Sequence, residues 1–341
     1  MKNYKIALIP GDGIGPEQTE ATLLVLGAVE EKLGVNLDFL NAEAGDEILK
    51  RTGHALPDES LEAIKHSDAC LKGPVGESAA DVIVKLRLML DLYVNLRPLK
   101  AYPRIHAFNP NINLVFVREN TEDLYRGLEF LVSPDTAVAL RVTTEKASRR
   151  IAEFAFKLAT KRRRMVTIVH KSNILRLTDG LFAKVAKQVA TQYPAVKWEE
   201  MYVDAAAMEL IRDPQRFDVL LTPNIFGDIL SDEAAQLVGG LGMAPGANIG
   251  ETYGIFEPIH GSAPKIAGQQ IANPCSLILT AALMFEWLGD SKQDPRCSQV
   301  AVRIETAVVN CLKEGVVTPD LGGKYTTRQV GEAVASRIGL E

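Results

Sequence analysis

The sequence predicts an α/β fold built on a largely parallel sheet with helices on both faces. Three features carry this: strand-length apolar runs alternate with segments of helical period, helix-sized stretches separate the runs, and no Gly/Pro/Ser-rich linker interrupts the pattern. In order, a buried strand is predicted over 5–9, a helix over 16–33, a strand over 37–40, a short helix over 60–66 and a strand over 69–71. An apolar strand over 114–117 follows. The alternation resumes with a helix over 145–159, a strand over 166–169, a helix over 180–192, a strand over 219–222 and a helix over 228–238. A last helical region runs from 273 to the C-terminus. Residues 119–134 lack a helical period and read as a projecting hairpin or arm.

At 341 residues the chain suits two ordinary domains sharing a core. Apolar residues make up 47% and charged residues 24%, a globular balance, and the net charge of −5 argues against nucleic acid as a partner. The one basic run, Lys161 to Arg164, sits between a helix and a strand and reads as a solvated connection. Cys70, Cys275, Cys297 and Cys311 show no Cys-x-x-Cys spacing and no pairing with histidines, which argues against a zinc site or disulfide framework. The first strand starts at once, leaving no room for a secretory leader. The most apolar stretch, 277–288, is broken by Glu286 and too short to span a bilayer. A cytoplasmic protein with no membrane partner is expected.

Several segments could carry chemistry. Gly11-Asp12-Gly13-Ile14-Gly15-Pro16-Glu17 follows the first strand, but Pro16 stands where a Rossmann turn needs its third glycine. Alone, it is a tight strand-to-helix turn with proline near the helix start. Arg87, Arg97 and Arg118 are each ordinary surface candidates; converging, their forked guanidinium groups would suit a di- or tricarboxylate. Asp228 and Asp232 are four apart, on one helix face, and Asp204 follows another strand. They read either as helix-start acids or as oxygen ligands for Mg²⁺ or Mn²⁺. Tyr125 and Lys171 are acid–base candidates. In His260-Gly261-Ser262-Ala263-Pro264, small residues would let backbone approach a flat ligand, with Asn273 near enough in sequence to read an adenine edge; a structural loop is the alternative.

Taken together, the segments 11–17, Asn-Leu-Arg-Pro (95–98), Arg-Glu-Asn-Thr-Glu-Asp-Leu-Tyr (118–125), Asp204, Asn-Ile-Phe-Gly-Asp-Ile-Leu-Ser-Asp (224–232) and His-Gly-Ser-Ala-Pro (260–264) resemble one family. It is the β-decarboxylating dehydrogenases, which include isocitrate and 3-isopropylmalate dehydrogenases. The resemblance runs from Ile6 to Gly331. It implies an isocitrate/isopropylmalate dehydrogenase-like fold, not a Rossmann fold, with two domains sharing a long mixed sheet. Residues 1–98 and 251–341 would form the cofactor-side domain. Residues 99–250 would form the second, with the metal aspartates, the dimer interface and the arm at about 119–135.

The resemblance further implies a homodimer with shared active sites and leaves a tetramer open. Arg87, Arg97 and Arg118 would clamp the malate part of the substrate. Asp228 and Asp232 would bind Mg²⁺ or Mn²⁺ with Asp204 of the other subunit. Lys171, also from the other subunit, would be the base for the hydroxyl, and Tyr125 the acid that reprotonates the enol. The expected reaction is oxidative decarboxylation of a malate-type 2-hydroxy acid. A non-catalytic regulatory subunit is the contrasting class, but such subunits tend to lose an arginine, the tyrosine or a metal aspartate, all present here.

Substrate and cofactor are read from departures within the family. Segment 72–82 is similar to archaeal-type 3-isopropylmalate dehydrogenases, and Ile83 and Val84 offer an isopropyl group apolar contacts where isocitrate and homoisocitrate relatives place polar residues. Asp81 would repel a third carboxylate if it faced the site. 3-Isopropylmalate, converted to 4-methyl-2-oxopentanoate in leucine biosynthesis, is therefore expected. Isocitrate or homoisocitrate is the alternative, because a methyl-scale pocket difference discriminates by only ~1–3 kcal/mol. For the cofactor, Lys265 matches NADP-preferring relatives, whereas Ile266, Pro319 and Gly323 do not; NAD is expected, with some NADP use.

Overall fold

A computed structural model describes residues 3–79 and 81–339. Ala80, in the segment before Arg87, and the ends of the chain (Met1, Lys2, Leu340 and Glu341) lie outside the described residues. The strands are β1 (Asn3–Ile9), β2 (Asn36–Asn41), β3 (Ala69–Lys72), β4 (Val94–Lys100), β5 (Asn113–Glu119), β6 (Glu129–Ser133), β7 (Thr136–Ala139), β8 (Met165–His170), β9 (Lys197–Tyr202), β10 (Val219–Thr222), β11 (Pro245–Ile249) and β12 (Gly254–Pro258). The helices are α1 (Gly15–Leu33), α2 (Asp46–Thr52), α3 (Asp58–Lys65), α4 (Asp81–Met89), α5 (Glu145–Thr160), α6 (Thr178–Ala190), α7 (Val203–Arg212), α8 (Asn224–Gln236), α9 (Cys275–Lys292), α10 (Pro295–Glu314) and α11 (Thr327–Arg337).

Ten strands form one continuous sheet in the order β2-β1-β3-β12-β11-β4-β5-β10-β8-β9. Its two flanks are parallel, as the strand–helix alternation predicts. The centre is not: β11 runs antiparallel to both β12 and β4, and β4 antiparallel to β5. The sheet is therefore mixed, as the family resemblance implies. The strand–helix pattern alone missed β4, β11 and β12, whose Gly, Pro, Asn and Arg content is poor in strand-forming residues. Between the parallel flanks these strands are held by pairing on both sides, so tertiary context overrides propensity.

The first flank, β2-β1-β3-β12, is built from both ends of the chain. The largest apolar cluster crosses from Tyr4 and Leu26 through Ile151 and Phe156 to Leu277 and Phe285, and two smaller clusters lie beside it. Helix α9 explains the most apolar stretch: it is buried along most of its length. No helix among the described residues is long and apolar enough to cross a membrane.

The Gly-Asp-Gly turn is a folding junction. Gly11 and Gly13 take positive φ, and a Cβ on Gly13 would lie 2.0 Å from the Ser262 carbonyl oxygen. Asp12 is buried, and its carboxylate accepts hydrogen bonds from the backbone N–H groups of Asp46, Glu47 and Gly76. One acid thus caps α2 and fixes the loop after β3. The basic run is less solvated than the sequence suggests: Arg162 donates to the buried Asp218 at 2.8 Å, anchoring the β8 and β10 edges.

A hairpin does form, but it is shifted later in the chain than 119–134. The two-stranded hairpin β6–β7 stands apart from the main sheet and ends at Ala139. Residues 119–121 and 123, expected in the arm, are instead buried beside the central strands.

Candidate functional site

Three elements converge at the antiparallel centre of the sheet. Helix α4 carries Arg87, β4 carries Arg97 and β5 ends with Arg118; all three side chains are buried. Helix α8 starts directly after β10 and presents Asp228 and Asp232 one turn apart to the same place. The Arg97 guanidinium spans them, donating from Nη2 to Asp228 Oδ1 and from Nη1 to Asp232 Oδ1, each at 3.0 Å. Arg118 donates to Asp228 through Nη1 and to Asn224 Oδ1 through Nε and Nη2, at 2.9 and 2.7 Å. The Tyr125 hydroxyl donates to Asp228 Oδ2, with the Arg118 guanidinium 4.9 Å from its ring centre. Arg87 reaches the cluster through Asn248, Nε to Oδ1 at 3.0 Å, and lies 3.5 Å from Glu257.

Burial and charge set the proton affinities. Burial raises that of Asp228, but the Arg118 and Arg97 charges outweigh it and hold the carboxyl below its usual range. Asp232 is pushed up, by burial first, against the opposing pull of Arg97. Burial raises Tyr125, and its bond to Asp228 adds to this, which keeps the phenol protonated and able to donate. Buried Glu257 is pulled to about 2: burial opposes this, and the Lys72 and Arg87 charges overcome it. Lys72 donates to Glu257 at 2.7 Å. The site therefore offers guanidinium groups for carboxylates beside two carboxylates for a cation.

Lys171 and Asp204 lie together elsewhere: Lys171 Nζ donates to Asp204 Oδ1 at 2.6 Å. Asp204 is exposed. No three His, Cys, Asp or Glu side chains among the described residues converge as a metal site. Within one chain, Asp204 is thus not brought to Asp228 and Asp232. The two helix aspartates are partly open, all-oxygen donors within reach of one guanidinium, which suits a hard divalent cation completed from outside the chain.

A cleft lined by Lys72, Ile83, Arg87, Arg97, Glu257 and His260 joins the arginines to the 260–266 loop. Val84, half-buried on α4, is not among its lining residues. Gly261 faces open space, Ser262 lies against Gly13, Ala263 takes φ +39°, and Lys265 is exposed beside the half-buried Ile266. His260 is held below the usual histidine range by burial, and its Nε2 accepts from the Gln18 side-chain amide at 3.2 Å. Gln18 also donates to the Asn273 carbonyl, and Glu17 accepts from the backbone of Gln270 and Ala272. The glycine turn therefore shapes this loop, leaving a small-residue, open-backbone surface that fits a flat cofactor. The Asn273 side chain is committed to the fold, accepting from Cys275 N and donating to Asp320.

Reading the sequence missed Lys72, Glu257 and Asn248. Asn248 Oδ1 accepts from Arg87, Asn95 and Asn120, and its amide donates to Glu257. Asn248 and Glu257 sit on β11 and β12, so a strand prediction there was the signal that could have found them.

The chain matches the family model described as isocitrate/isopropylmalate dehydrogenase over residues 5–334. It is 51% identical to the 3-isopropylmalate/3-methylmalate dehydrogenase of Methanocaldococcus jannaschii over 98% of this chain and 99% of that protein. It is 46% identical to the isocitrate/homoisocitrate dehydrogenase of Thermus thermophilus, over 98% of each chain. Among solved structures, the isocitrate dehydrogenase of Methylococcus capsulatus matches with a TM-score of 0.91 at 42% identity, over 98% of this chain and 99% of that one. The chain belongs to the isocitrate/isopropylmalate dehydrogenase family, whose chemistry implies a small carboxylate substrate, a nicotinamide cofactor and a divalent metal.

Proposed function

We propose that this protein is an NAD-dependent, divalent-metal-dependent dehydrogenase that oxidises and decarboxylates 3-isopropylmalate to 4-methyl-2-oxopentanoate, a step of leucine biosynthesis. The observation carrying the reading is the cleft where Ile83 lies beside Arg87 and Arg97, next to Asp228 and Asp232. The substrate carries two carboxylates and one branched apolar group, and that lining offers both chemistries. Relatives named 3-isopropylmalate/3-methylmalate dehydrogenase, at 51% identity, and 3-isopropylmalate dehydrogenase, at 52%, support the choice.

In this reading Arg87, Arg97 and Arg118 bind and orient the carboxylates. Asp228 and Asp232, with Asp204 of a second copy, would hold Mg²⁺ or Mn²⁺, which supplies positive charge against the negative charge developing on the substrate oxygen. The 260–266 loop, with Asn273 beside it, would hold NAD, which would supply the hydride acceptor. Lys171 of the second copy takes the hydroxyl proton, and Tyr125, protonated in its buried setting, returns one to the enol.

A homodimer agrees with two further features. Lys171 and Asp204 form a pair detached from the other site residues of their own chain. Exposed apolar side chains line the arm (Phe130, Leu131, Val132) and helices α7 and α8 (Met208, Ile211, Ile229), a surface suited to a second copy. We assign residues 1–98 and 251–341 to a cofactor-side domain and 99–250 to the domain that dimerises.

The test is cofactor reduction by the purified protein with Mg²⁺ and NAD, comparing kcat/KM for 3-isopropylmalate, isocitrate, homoisocitrate and D-malate. 3-Isopropylmalate is expected to lead. A lead for isocitrate or homoisocitrate would keep the catalytic assignment and overturn the apolar reading of Ile83.

A further inference from the structure

Arg141 stands at the root of the arm, two residues past β7, and touches no residue of the arginine–aspartate cluster directly. Its side chain is mostly buried between two buried acids. It donates to Asp123 through both Nε and Nη2, at 2.6 and 2.9 Å, and its Nη1 lies 2.9 Å from Asp179 Oδ1. The Phe226 ring of α8 covers the guanidinium, 4.6 Å from centre to Cζ.

Each acid leads to a different catalytic group. Asp123, at φ +69°, accepts from the backbone N–H of Leu124, beside Tyr125. Its other oxygen accepts from Ile225 N at 3.1 Å, in the first turn of the helix that carries Asp228. Asp179 accepts from the backbone N–H of Lys171 at 2.6 Å. A single guanidinium therefore fixes the loop carrying the acid and the loop carrying the base.

We infer that Arg141 is a positioning residue for two active sites at once: through Asp123 it sets Tyr125 in its own subunit's site, and through Asp179 it sets the Lys171 that this subunit contributes to the other site. The inference rests on the shared-site reading proposed above. It deepens that reading by naming the connection within each chain between the two sites. Planar, bidentate contact to one acid with a third nitrogen left for another needs arginine; a lysine ammonium offers a point charge without that fork.

The experiment uses purified mixed dimers carrying two different tags, with kcat and KM measured per dimer. Homodimers of Asp123→Asn and of Asp179→Asn should each lose kcat by about 10²-fold, the scale expected for small misplacements of reacting groups, with little change in KM. The Asp123→Asn/Asp179→Asn mixed dimer pairs an intact Tyr125 loop with an intact Lys171 loop in one of its sites, so it should regain about half of the wild-type kcat. Arg141→Lys impairs both loops of its chain. Its mixed dimer with wild type should fall well below half, whereas wild type with Asp123→Asn should keep about half. Circular dichroism melts of each variant separate misplacement from unfolding.

A Tyr125→Phe/Lys171→Ala mixed dimer is the control. If it regains activity while the Asp123→Asn/Asp179→Asn dimer does not, the role of Arg141 is wrong and shared sites stand. If the control itself gains nothing, the shared-site reading falls and the coupling falls with it. A folded Arg141→Lys homodimer with wild-type kcat would also overturn the inference.

Discussion

Lys171 Nζ donates to Asp204 Oδ1 at 2.6 Å, although the two residues sit on different elements, one just past β8 and the other in the first turn of α7. The pair holds Asp204 below the usual carboxylate range, chiefly through that hydrogen bond. Lys171→Ala should lower kcat by about 10²- to 10⁴-fold, the scale of a lost general base, with KM little changed. The melting temperature should hold, since exposed ion pairs contribute little to stability. Asp204→Asn should instead raise the Mg²⁺ or Mn²⁺ concentration needed for half-maximal rate. Steady-state assays across a metal titration read both, and wild-type behaviour of either variant would remove that residue from the site.

Arg118 is 1% exposed and holds Asn224 and Asp228 together. Truncating one partner of a buried, hydrogen-bonded charge pair costs about 2–5 kcal/mol. Arg118→Met is therefore expected to raise KM for the hydroxy acid by at least about thirtyfold. Arg118→Lys should recover only part, because Nε and Nη2 both address Asn224. An unchanged KM in a folded Arg118→Met protein would exclude carboxylate binding by this residue.

Glu257 links folding to pH. Its pKa falls from an unfolded value of about 4.3 to about 2 in the fold. A depressed carboxylate contributes stability that is fully present above the unfolded value and is lost as pH falls through the folded one. Denaturant melts should therefore show stability falling between about pH 4.3 and pH 2, with a smaller fall in Glu257→Gln. Equal slopes for the two proteins would show that the Lys72–Glu257 contact does not govern acid sensitivity.

Cofactor preference offers a separate test. Lys265 is exposed on the 260–266 loop, where it could meet a 2′-phosphate, but Gly323 has no room for a larger side chain. A Cβ on Gly323 would lie 1.9 Å from the Val317 carbonyl oxygen. Lys265→Asp should lower kcat/KM for NADP relative to NAD, and Gly323→Arg should lower the melting temperature without improving NADP use. An unchanged NADP/NAD ratio in Lys265→Asp would end the role given to that lysine.

Much of this site could be read before any coordinates, because its pieces are long, ordered motifs at strand and helix ends. The 224–232 segment places Asp228 and Asp232 on one helix face by period alone, and the structure keeps them there. The arm was legible from its lack of helical period, though its burial pattern was not. Residues 119–121 and 123 look as polar as an exposed hairpin, yet they are buried because Glu119 accepts hydrogen bonds from Thr121 and Glu122, and Arg141 pairs Asp123.

By itself the sequence determined the parallel flanks, the buried helix α9, the family and the identity of the charged groups, since period and motif order are local properties of the chain. Only the tertiary structure decided that β4, β11 and β12 are strands, that Arg87, Arg97 and Arg118 meet, and that Asn248 and Glu257 stand behind them. It also placed Asp204 with Lys171 and away from Asp228 within one chain. The physical reason is common to all of these. Pairing register and the balance of charge depend on partners brought together by the fold, such as Lys171 and Asp204, 33 positions apart, or Arg118 and Asp228, 110 apart, and no local pattern encodes which partner will neutralise a given group.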